Sequence, residues 1–337
     1  MAEAGRILVT GAAGLIGSAV IWELNRQGID DIIAVDHLGH SEKWRNLRAL
    51  RFREYVEKDD FYPLLERSTL PWRPAAIMHL GACSDTTEGD ATYLVRNNVD
   101  CSKAIARLAQ RCGSRLVYAS SAATYGDGAL GFDSAVEGIE ALRPLNMYGY
   151  SKQLFDLWMK REGFLNRAAG LKYSNVFGPN EAHKAHMRSV VMRSFEQVRD
   201  SGVVKLFRSY RADYADGEQQ RDFLYVKDAA AMSVWFLLQS QAGGLFNIGS
   251  GVARTWNDLA GAVFAALEVP RRIEYIDMPA ELRGRYQYHT CLDMARTLAA
   301  GCPAPAWGLE AAVTDYVRQY LAPGRHLGDD GESAGRP

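Results

Sequence analysis

The sequence predicts an α/β protein with a doubly wound parallel sheet and a second, smaller α/β unit. Short apolar runs rich in β-branched residues alternate with helical patterns through the first half of the chain. Such runs are typical of strands buried on both faces of a parallel sheet. The alternation implies helices covering both faces, and a glycine-rich turn after the first run supports the same fold.

The first half supplies most of the predicted sheet. Arg6–Thr10 is apolar and stops at a glycine, which predicts a buried strand. Apolar residues recur at helical spacing over Leu15–Gln27, and Gly28 is predicted to cap that helix. The same patterns predict strands at Asp31–Val35, Pro74–Leu80, Arg115–Ala119 and Leu171–Phe177, and helices at Thr92–Cys112 and Ser151–Glu162.

The second half is less regular, and its C-terminal residues, Gly324–Pro337, have almost no apolar content. That composition predicts a disordered tail. Arg221–Leu238 is predicted to be a strand followed by a helix. The other predicted elements are helices at Met187–Arg199, Trp256–Leu267 and Leu309–Tyr320, and strands at Val204–Phe207, Leu245–Ile248 and Arg272–Ile276.

Composition and charge fit a globular protein with a large core. Of the 337 residues, 47% are hydrophobic and 23% are charged, which excludes disorder as the main state. The formal net charge is −1, with 39 basic and 40 acidic residues. We therefore expect no nucleic-acid partner, since proteins that bind nucleic acid usually carry a strong basic excess.

Cysteine usage and apolar runs indicate where the protein works. Five cysteines without a C-x-x-C pair favour free thiols in a reducing compartment over disulfides or a zinc ribbon. No run approaches the ~18 apolar residues that span a bilayer, and the N-terminus lacks the basic region of a signal peptide. We expect a cytoplasmic protein with no membrane partner.

A glycine-rich turn joins the first predicted strand to the first helix. Gly11, Gly14 and Gly17 form the pattern G-x-x-G-x-x-G. Glycines let the backbone approach a pyrophosphate closely, and the helix N-terminus offers free N–H groups. Asp36 closes the next strand, where an acidic side chain can bond an adenosine ribose hydroxyl. Together these features predict a Rossmann-like dinucleotide site.

The residues near Asp36 leave the choice of dinucleotide open. The charge of Asp36 alone favours NAD, because it repels the 2′-phosphate of NADP. His37, Lys43 and Lys58 are close in sequence and would supply compensating charge. Such residues are as often ordinary solvated surface.

Tyr148 and Lys152 form a Y-x-x-x-K pair whose side chains share one face of a helix. The ammonium of Lys152 is expected to lower the tyrosine pKa from ~10, which makes Tyr148 a candidate general acid/base. Ser120 and Ser121 end the preceding strand, at the carboxyl edge where ligands bind in such sheets. A serine there can bond the reacting hydroxyl or carbonyl.

The glycine spacing and the Y-x-x-x-K pair resemble the extended branch of the short-chain dehydrogenase/reductase superfamily. Longer strings resemble the ADP-L-glycero-D-manno-heptose 6-epimerases, a family of nucleotide-sugar epimerases, from Arg6 to about Tyr320. The more specific signals are GACSDTTE, GRYQ and the His183-Lys184 pair. The strings are GACSDTTE at 81–88, ASSAATYG at 119–126, LNMYGYSK at 145–152, NVFGP at 175–179 and RGRYQ at 283–287.

The resemblance implies an isomerase that holds NADP tightly, with NAD as the alternative. That family oxidises C6″ of ADP-D-glycero-β-D-manno-heptose to a transient ketone and returns the hydride to the other face. The product, ADP-L-glycero-β-D-manno-heptose, is a precursor of the lipopolysaccharide inner core. Inversion requires two acid/base groups, which match Tyr148 and Lys184. Lys152 would bind the nicotinamide ribose, and Ser121 would orient the reacting group.

The resemblance also carries binding positions onto this chain. Arg221 suits its position, because a guanidinium can clamp a diphosphate with two hydrogen bonds. A lysine shielded from water loses stability as ammonium, so the pKa of Lys184 is expected to fall. The implied cofactor-binding residues are Gly11, Gly14, Leu15, Ile16, Gly17, Asp36, His37, Lys43, Lys58, Leu80, Gly81, Ala82, Cys83, Ser84, Asn97, Tyr148, Lys152, Val176 and Lys184. The implied substrate-binding residues are Ser121, Asn175, His186, Arg193, Phe207, Arg208, Ser209, Arg221 and Tyr286.

Some positions depart from the familiar form of the family, which has serine where His186 stands and histidine where Arg193 stands. The loop 211–220 is also longer. The departures leave a related heptose or a different nucleotide as alternative substrates. His183 and His186 are spaced as metal ligands can be, but no third ligand is evident, so we expect no metal.

Two other enzyme activities and a binding role are alternatives on the same fold. A 4,6-dehydratase needs acidic residues where Ala122 and Ala123 follow the strand-terminal serine. A UDP-sugar 4-epimerase uses the same tyrosine, lysine and serine but needs no second base, so Lys184 argues against it. A non-catalytic dinucleotide sensor usually lacks the tyrosine or the lysine, and both are present.

These placements predict an active site in a cleft between two domains. The NAD(P)-binding domain is predicted at 1–173 and 222–250, the substrate-binding domain at 174–221 and 251–322, and the disordered tail at 323–337. Members of the family assemble as homo-oligomers, often pentamers, so we expect self-association.

Overall fold

A parallel sheet of seven strands forms the centre of the protein, whose computed structural model describes residues 5–135, 137–283 and 286–329. All neighbouring strands of this sheet run parallel. The predicted doubly wound parallel sheet is therefore confirmed. From one edge to the other, its strands are β3 (Glu54–Glu57), β2 (Ile32–Asp36), β1 (Ile7–Thr10), β4 (Ala76–His79), β5 (Arg115–Ser121), β6 (Ala168–Tyr173) and β10 (Gly244–Ile248).

Two smaller sheets accompany the main one. β7 (Asn175–Phe177) pairs in parallel with β9 (Gln220–Tyr225), which pairs antiparallel with β11 (Ala253–Thr255). β8 (Val204–Phe207) pairs in parallel with β12 (Ile273–Ile276). The strands β7, β8, β11 and β12 come from segments assigned to the substrate-binding domain, whereas β9 crosses the proposed boundary at residue 222. The division into two domains stays a prediction.

Helices pack against the main sheet and against one another. α1 and α7 contact each other, while α4 and α5 contact β5. A π-helical segment, Val95–Asp100, joins α3 to α4, and another, Tyr316–Leu321, extends α11. The helices are α1 (Leu15–Arg26), α2 (Lys58–Glu66), α3 (Ala91–Leu94), α4 (Cys101–Cys112), α5 (Met147–Arg161), α6 (Val190–Ser201), α7 (Val226–Leu238), α8 (Trp256–Leu267), α9 (Ala280–Arg283), α10 (Ala295–Ala299) and α11 (Leu309–Asp315).

The strand predicted over Leu171–Phe177 is two strands in different sheets. Tyr173 ends β6 in the main sheet, and the backbone N–H of Ser174 still donates to Ile248 O at 2.9 Å. From Asn175 onwards the chain pairs with β9 instead. A strand pattern alone does not reveal such a change of partner, and Ser174 is where the chain leaves the main sheet.

Helix α5 begins earlier than its predicted start at Ser151. The side chain of Asn146 accepts a hydrogen bond from Gly149 N at 2.8 Å and caps the helix. Asparagine favours such caps because its oxygen satisfies a free N–H. Tyr148 therefore lies in the first turn of α5, at the carboxyl edge of the sheet.

The predicted disordered tail, 323–337, is wrong for residues 323–329. The side chain of Leu327 is fully buried, and its backbone N–H donates to Asn180 Oδ1 at 3.1 Å. Asp329 pairs with Arg48 at 2.6 Å. The buried side chain of Leu327 anchors a segment whose average composition is polar. Residues 330–337 of the predicted tail lie outside the described residues.

A buried ion pair joins strand β6 to helix α5. Lys172 Nζ lies 3.0 Å from Asp156 Oδ2 and 2.6 Å from Thr124 Oγ1, and both charged side chains are 1% exposed. Asp156 also accepts hydrogen bonds from Tyr118 and Ser120. The carboxylate is fully partnered, so its burial is tolerated only while Lys172 is present.

Replacing Lys172 with methionine should lower the free energy of unfolding by about 3–5 kcal/mol, because Asp156 would stay buried without its cation. Urea unfolding followed by circular dichroism measures the change. Lys205→Met is the control, since its pair with Glu274 is half exposed and should contribute at most about 1 kcal/mol. Similar losses in the two variants would contradict the account.

Candidate active site at the carboxyl ends of the strands

The turn between β1 and α1 brings backbone segments into close contact. Gly11 has φ +69°, a conformation that favours glycine. A Cβ added at Gly11 would lie 2.7 Å from backbone atoms of Leu80 and Gly81, and one added at Gly17 would collide with Gly11 O. The N-terminus of α1 has no side-chain cap, and its first residues line a cavity. This cradle fits a pyrophosphate.

Asp36 holds the glycine-rich turn from the end of β2. Its Oδ2 accepts a hydrogen bond from Ala13 N at 2.7 Å, and its Oδ1 accepts one from His37 N at 2.7 Å. Lys43 Nζ lies 2.5 Å from the same Oδ1. The buried carboxylate is therefore neutralised by Lys43.

The other predicted cationic residues also have partners. His37 Nδ1 lies 2.7 Å from Glu57 Oε1, and Lys58 Nζ donates to Asn97 Oδ1 at 3.0 Å. Glu57 ends β3, a strand that the sequence patterns missed. Lys43 and His37 thus lie against carboxylates while Lys58 donates to a neutral amide, and together they give this end of the cavity a polar rim.

A buried histidine supports the glycine-rich turn from below. His79 Nδ1 lies 2.6 Å from Thr10 Oγ1, and its Nε2 lies 2.8 Å from Ser102 Oγ. Thr10 Oγ1 in turn accepts a hydrogen bond from Gly81 N at 3.2 Å. Burial lowers the pKa of His79 to about 3, and nearby Lys152 adds to the shift. The imidazole is therefore neutral near pH 7.

The proposed acid/base tyrosine lies beside the strand-terminal serine. A hydrogen bond with Ser121 lowers the pKa of Tyr148, but burial outweighs it and the net pKa is raised above the ordinary value. Ser121 Oγ also accepts a hydrogen bond from Ala123 N at 3.1 Å. The phenol consequently keeps its proton near neutral pH, as a general acid must.

Lys152 does not lower the pKa of Tyr148, and the sequence-based expectation is wrong on this point. Its Nζ lies 5.9 Å from the centre of the Tyr148 ring and donates to Ala119 O at 3.0 Å. Burial lowers the pKa of Lys152 itself to about 8, opposed by Asp156. Burial is the largest influence on the pKa of each side chain, and it disfavours the charged form of each.

Lys184 lies in a short 3-10 segment, Ala182–Met187, that is anchored at its start. Its backbone N–H donates to Glu181 O at 2.9 Å, and the Glu181 carboxylate accepts hydrogen bonds from Ser189. Burial lowers the pKa of Lys184, opposed by Glu181, which is the direction expected from the sequence. The next residue, Ala185, has φ +46°, a strained conformation for a residue with a Cβ.

The two histidines near Lys184 face different partners. His183 Nδ1 lies 3.2 Å from Asn46 Nδ2, and burial lowers its pKa to about 4. His186 is exposed and its Nε2 lies 3.1 Å from Asp85 Oδ2. In the part of the chain that the structure describes, no group of three or more His, Cys, Asp or Glu side chains is placed to hold a metal ion.

These groups line one cavity of about 590 Å³, within the ~300–1,000 Å³ typical of ligand sites. Every residue predicted to contact the cofactor lines it, as do Ser121 and His186. Tyr148 and Lys184 therefore border the same space. Their assigned roles stay predictions.

Sequence reasoning missed part of this lining. Thr10 and Val35 lie at the ends of predicted strands, so the strand pattern could have found them. Tyr62 comes from α2, a helix that no pattern predicted. The other lining residues without an assigned role are Asp85, Tyr93, Ala119, Ser120, Tyr173, Ser174, His183, Ala185 and Met187.

A second cluster contains the predicted Arg221 and Tyr286. The Arg221 guanidinium lies 5.1 Å from the ring centre of Tyr286 and 5.6 Å from that of Trp256. Trp256 Nε1 donates to Tyr286 OH at 2.8 Å. Gln287 donates to Gly126 O at 2.8 Å, which ties this cluster to the segment that follows Ser121. The guanidinium suits a diphosphate, and the neighbouring aromatic rings hold it in place by cation–π contacts.

The remaining predicted substrate residues do not line the cavity of about 590 Å³. Asn175 and Arg193 are exposed. Arg208 donates to Tyr275 O at 3.2 Å, and Ser209 N donates to Asp216 Oδ1 at 2.7 Å. Phe207 ends β8. Of the GRYQ string, residues 284 and 285 lie outside the described residues.

The described ranges contain no helix that is long and apolar enough to cross a membrane. The cysteines Cys83, Cys101, Cys112, Cys291 and Cys302 are free thiols.

The chain matches known proteins over most of its length. The sequence model of the NAD dependent epimerase/dehydratase family matches residues 7–249. An ADP-L-glycero-D-manno-heptose-6-epimerase of Nitratidesulfovibrio vulgaris (strain DP4) is 53% identical over 315 residues, covering 94% of this chain and 98% of the relative.

Solved structures of epimerases are similar to this chain in fold. The crystal structure of Helicobacter pylori ADP-L-glycero-D-manno-heptose-6-epimerase has a TM-score of 0.78 at 25% identity, covering 94% of this chain and 96% of that chain. The UDP-glucose 4-epimerase of Thermotoga maritima has a TM-score of 0.78 at 23% identity, covering 94% and 99% of the chains. At that identity the likeness shows the fold alone.

Stability should fall as the pH drops below about 6.5, because unfolded His79 takes up a proton that the buried imidazole refuses. The folded pKa lies below the unfolded one, so the contribution is complete above pH ~6.5 and is lost as the pH falls towards 3. His79→Asn should flatten this slope by up to about 1.4 kcal/mol per pH unit. Urea unfolding between pH ~7.5 and ~4.5 measures it.

The exposed His40 provides the control, since His40→Asn should leave the slope unchanged. An unchanged slope in His79→Asn would show that the imidazole is protonated in the folded state.

Proposed function

The chain belongs to the NAD dependent epimerase/dehydratase family and, within it, to the ADP-L-glycero-D-manno-heptose 6-epimerases, and we propose how its site inverts the sugar carbon C6″. The substrate is ADP-D-glycero-β-D-manno-heptose and the product is ADP-L-glycero-β-D-manno-heptose. The observation that carries this proposal is that two proton-transfer groups, Tyr148 and Lys184, line one cavity beside the dinucleotide cradle.

The cradle of Gly11, Gly14 and Gly17 fits the pyrophosphate of a nicotinamide dinucleotide, and we propose NADP. Both carboxylate oxygens of Asp36 accept hydrogen bonds from within the protein, and Lys43 neutralises the charge of the carboxylate. The usual repulsion of a 2′-phosphate is thereby reduced, and Lys43 and His37 lie where they can pair with that phosphate. When bound, the nicotinamide supplies hydride acceptance and return, so the reaction has no net redox change.

The protein's own groups handle the proton of the C6″ hydroxyl. Ser121 orients the hydroxyl by hydrogen bonding, and Tyr148, whose phenol keeps its proton, donates that proton to the ketone oxygen on one face as the hydride returns to C6″. Lys152 binds the nicotinamide ribose beside Tyr148. The C6″ oxygen has a different orientation before and after inversion. Tyr148 cannot reach it in both orientations, so a second group is needed on the opposite face. Lys184, whose pKa is lowered by burial and whose neutral amine is thereby favoured, accepts the hydroxyl proton there as the hydride leaves C6″.

Arg221 and the aromatic rings around it bind the diphosphate end of the substrate. A guanidinium can hold a diphosphate with two hydrogen bonds, and Tyr286 and Trp256 keep the guanidinium in place. His186, Arg193 and the longer loop 211–220 are the positions where a different sugar or nucleotide would be accommodated.

A UDP-sugar 4-epimerase is the second candidate, because its fold is the same. That reaction needs only one base, since the planar ketone turns over in the site. Lys184 then has no role, although it lines the same cavity as Tyr148. The 6-epimerase accounts for both residues.

Location and assembly are further parts of the proposal. The free thiols suit a reducing compartment, which supports a cytoplasmic enzyme. Self-association is implied by the resemblance to the family.

Tyr148→Phe should lower turnover of ADP-D-glycero-β-D-manno-heptose by about 10²–10⁴-fold, because general acid/base catalysis contributes that much. Lys184→Ala should lower it similarly. Both variants should retain bound NADP. Proton NMR of C6″ measures conversion, and the absorbance of the purified protein measures cofactor.

Two exposed residues provide matched controls. Tyr150→Phe and Lys205→Ala change side chains that are exposed to solvent and should leave turnover unchanged. Full activity in Lys184→Ala would favour a one-base epimerase. Full activity in Tyr148→Phe would remove the tyrosine from the mechanism.

Lys43→Ala should weaken NADP binding by at least about tenfold, because a charge-assisted hydrogen bond to the phosphate is lost and Asp36 becomes an unpaired anion. NAD binding should change much less. Titration calorimetry of protein freed of its cofactor compares the two dinucleotides. An equal loss for NAD and NADP would contradict the assignment of Lys43 to the 2′-phosphate.

A further inference from the structure

Two cavity-lining segments that are far apart in sequence meet at one buried side chain. The short 3-10 helix Glu42–Asn46 contributes Lys43 to the cavity, and the segment Ala182–Met187 contributes Lys184. Asn46 is the last residue of this 3-10 helix, its side chain contacts the second segment, and it is only 3% exposed. It does not itself line the cavity, so its role is indirect.

The carboxamide of Asn46 donates to both sides. Its Nδ2 lies 2.8 Å from Ala13 O, in the glycine-rich turn, and 2.9 Å from Asn180 O, just before the Lys184 segment. The same nitrogen lies 3.2 Å from Nδ1 of His183. One amide group thus joins the dinucleotide cradle to the residues that precede Lys184.

Asn180 is held from two further directions. Its Nδ2 donates to Ser18 Oγ at 3.0 Å, and its Oδ1 accepts from Leu327 N at 3.1 Å. Its φ of +75° is a conformation that needs such support. The buried Leu327 side chain and the Arg48–Asp329 ion pair at 2.6 Å hold the C-terminal segment in place.

The strained backbone beside Lys184 explains why this segment needs these hydrogen bonds. Ala185 has φ +46°, and such conformations persist only where the surroundings over-determine them. Without the hold on Asn180, the segment would relax and move the Lys184 amine relative to the cofactor cradle. Misplacement by about 1 Å can cost 10²-fold in rate.

We propose that Asn46 is a positioning residue that sets the place of Lys184 relative to the dinucleotide cradle, with the C-terminal segment 324–329 as its brace. This inference rests on the proposed function, because it assumes that Lys184 works on substrate. Asn46 acts through Ala13 and Asn180 and touches neither substrate nor cofactor.

Asn46→Asp tests the proposal, because the new side chain has the same size but directs a carboxylate at two carbonyl oxygens. We expect kcat for ADP-D-glycero-β-D-manno-heptose to fall at least about tenfold with KM changed less than about twofold. Bound NADP should dissociate at least about tenfold faster. The kcat loss relative to wild type should shrink at lower pH, because a protonated carboxyl can donate one of the two hydrogen bonds again. Asn166→Asp, at an exposed site, should match wild type.

A second variant keeps the test valid if Asn46→Asp does not fold. Leu327→Ala removes the brace but leaves the amide, and it should change kcat and NADP release in the same direction. Wild-type values in either folded variant would overturn the proposal, as would a loss of kcat that is independent of pH. If the wild type does not convert the heptose, the proposed function fails, while NADP release still tests Asn46.

Discussion

The site depends on keeping the glycine-rich turn in one place, and the backbone of Ala13 shows how this is done. Its N–H donates to Asp36 at 2.7 Å, and its carbonyl accepts from Asn46 at 2.8 Å. Gly11 packs directly on the backbone of Gly81, so the turn has no room to shift. The same anchor that shapes the cofactor cradle therefore also sets the position of the segment carrying Lys184.

Burial then adjusts the chemistry of the side chains around this turn. It raises the pKa of Tyr148 and lowers that of Lys184, and it lowers the pKa of Lys152 to about 8. A phenol and an amine that ordinarily differ in charge near neutral pH are both moved towards their neutral forms. A neutral amine can accept the proton of a sugar hydroxyl and a neutral phenol can donate one, so the two side chains together can supply the base and the acid.

Much of the cofactor half could be predicted from the sequence, because the pattern is local. A buried strand, a glycine-rich turn, a helix and Asp36 occur within one short stretch, and each has a distinct composition. The less local features were missed. The chain changes sheets at Ser174 inside what the sequence predicts to be one strand, and Leu327 is buried within a polar segment. The direction of the Tyr148 pKa depends on burial, which a helical spacing cannot report.

In the proposed mechanism C6″ keeps its own hydrogen while its configuration inverts, and Tyr148 and Lys184 move only the hydroxyl proton. Incubation of the cofactor-loaded protein with ADP-D-glycero-β-D-manno-heptose in D2O, followed by proton NMR, tests this directly. The account predicts ADP-L-glycero-β-D-manno-heptose with no deuterium at C6″. Solvent deuterium at C6″ would mean that the carbon itself is deprotonated, and the absence of conversion would contradict the substrate assignment.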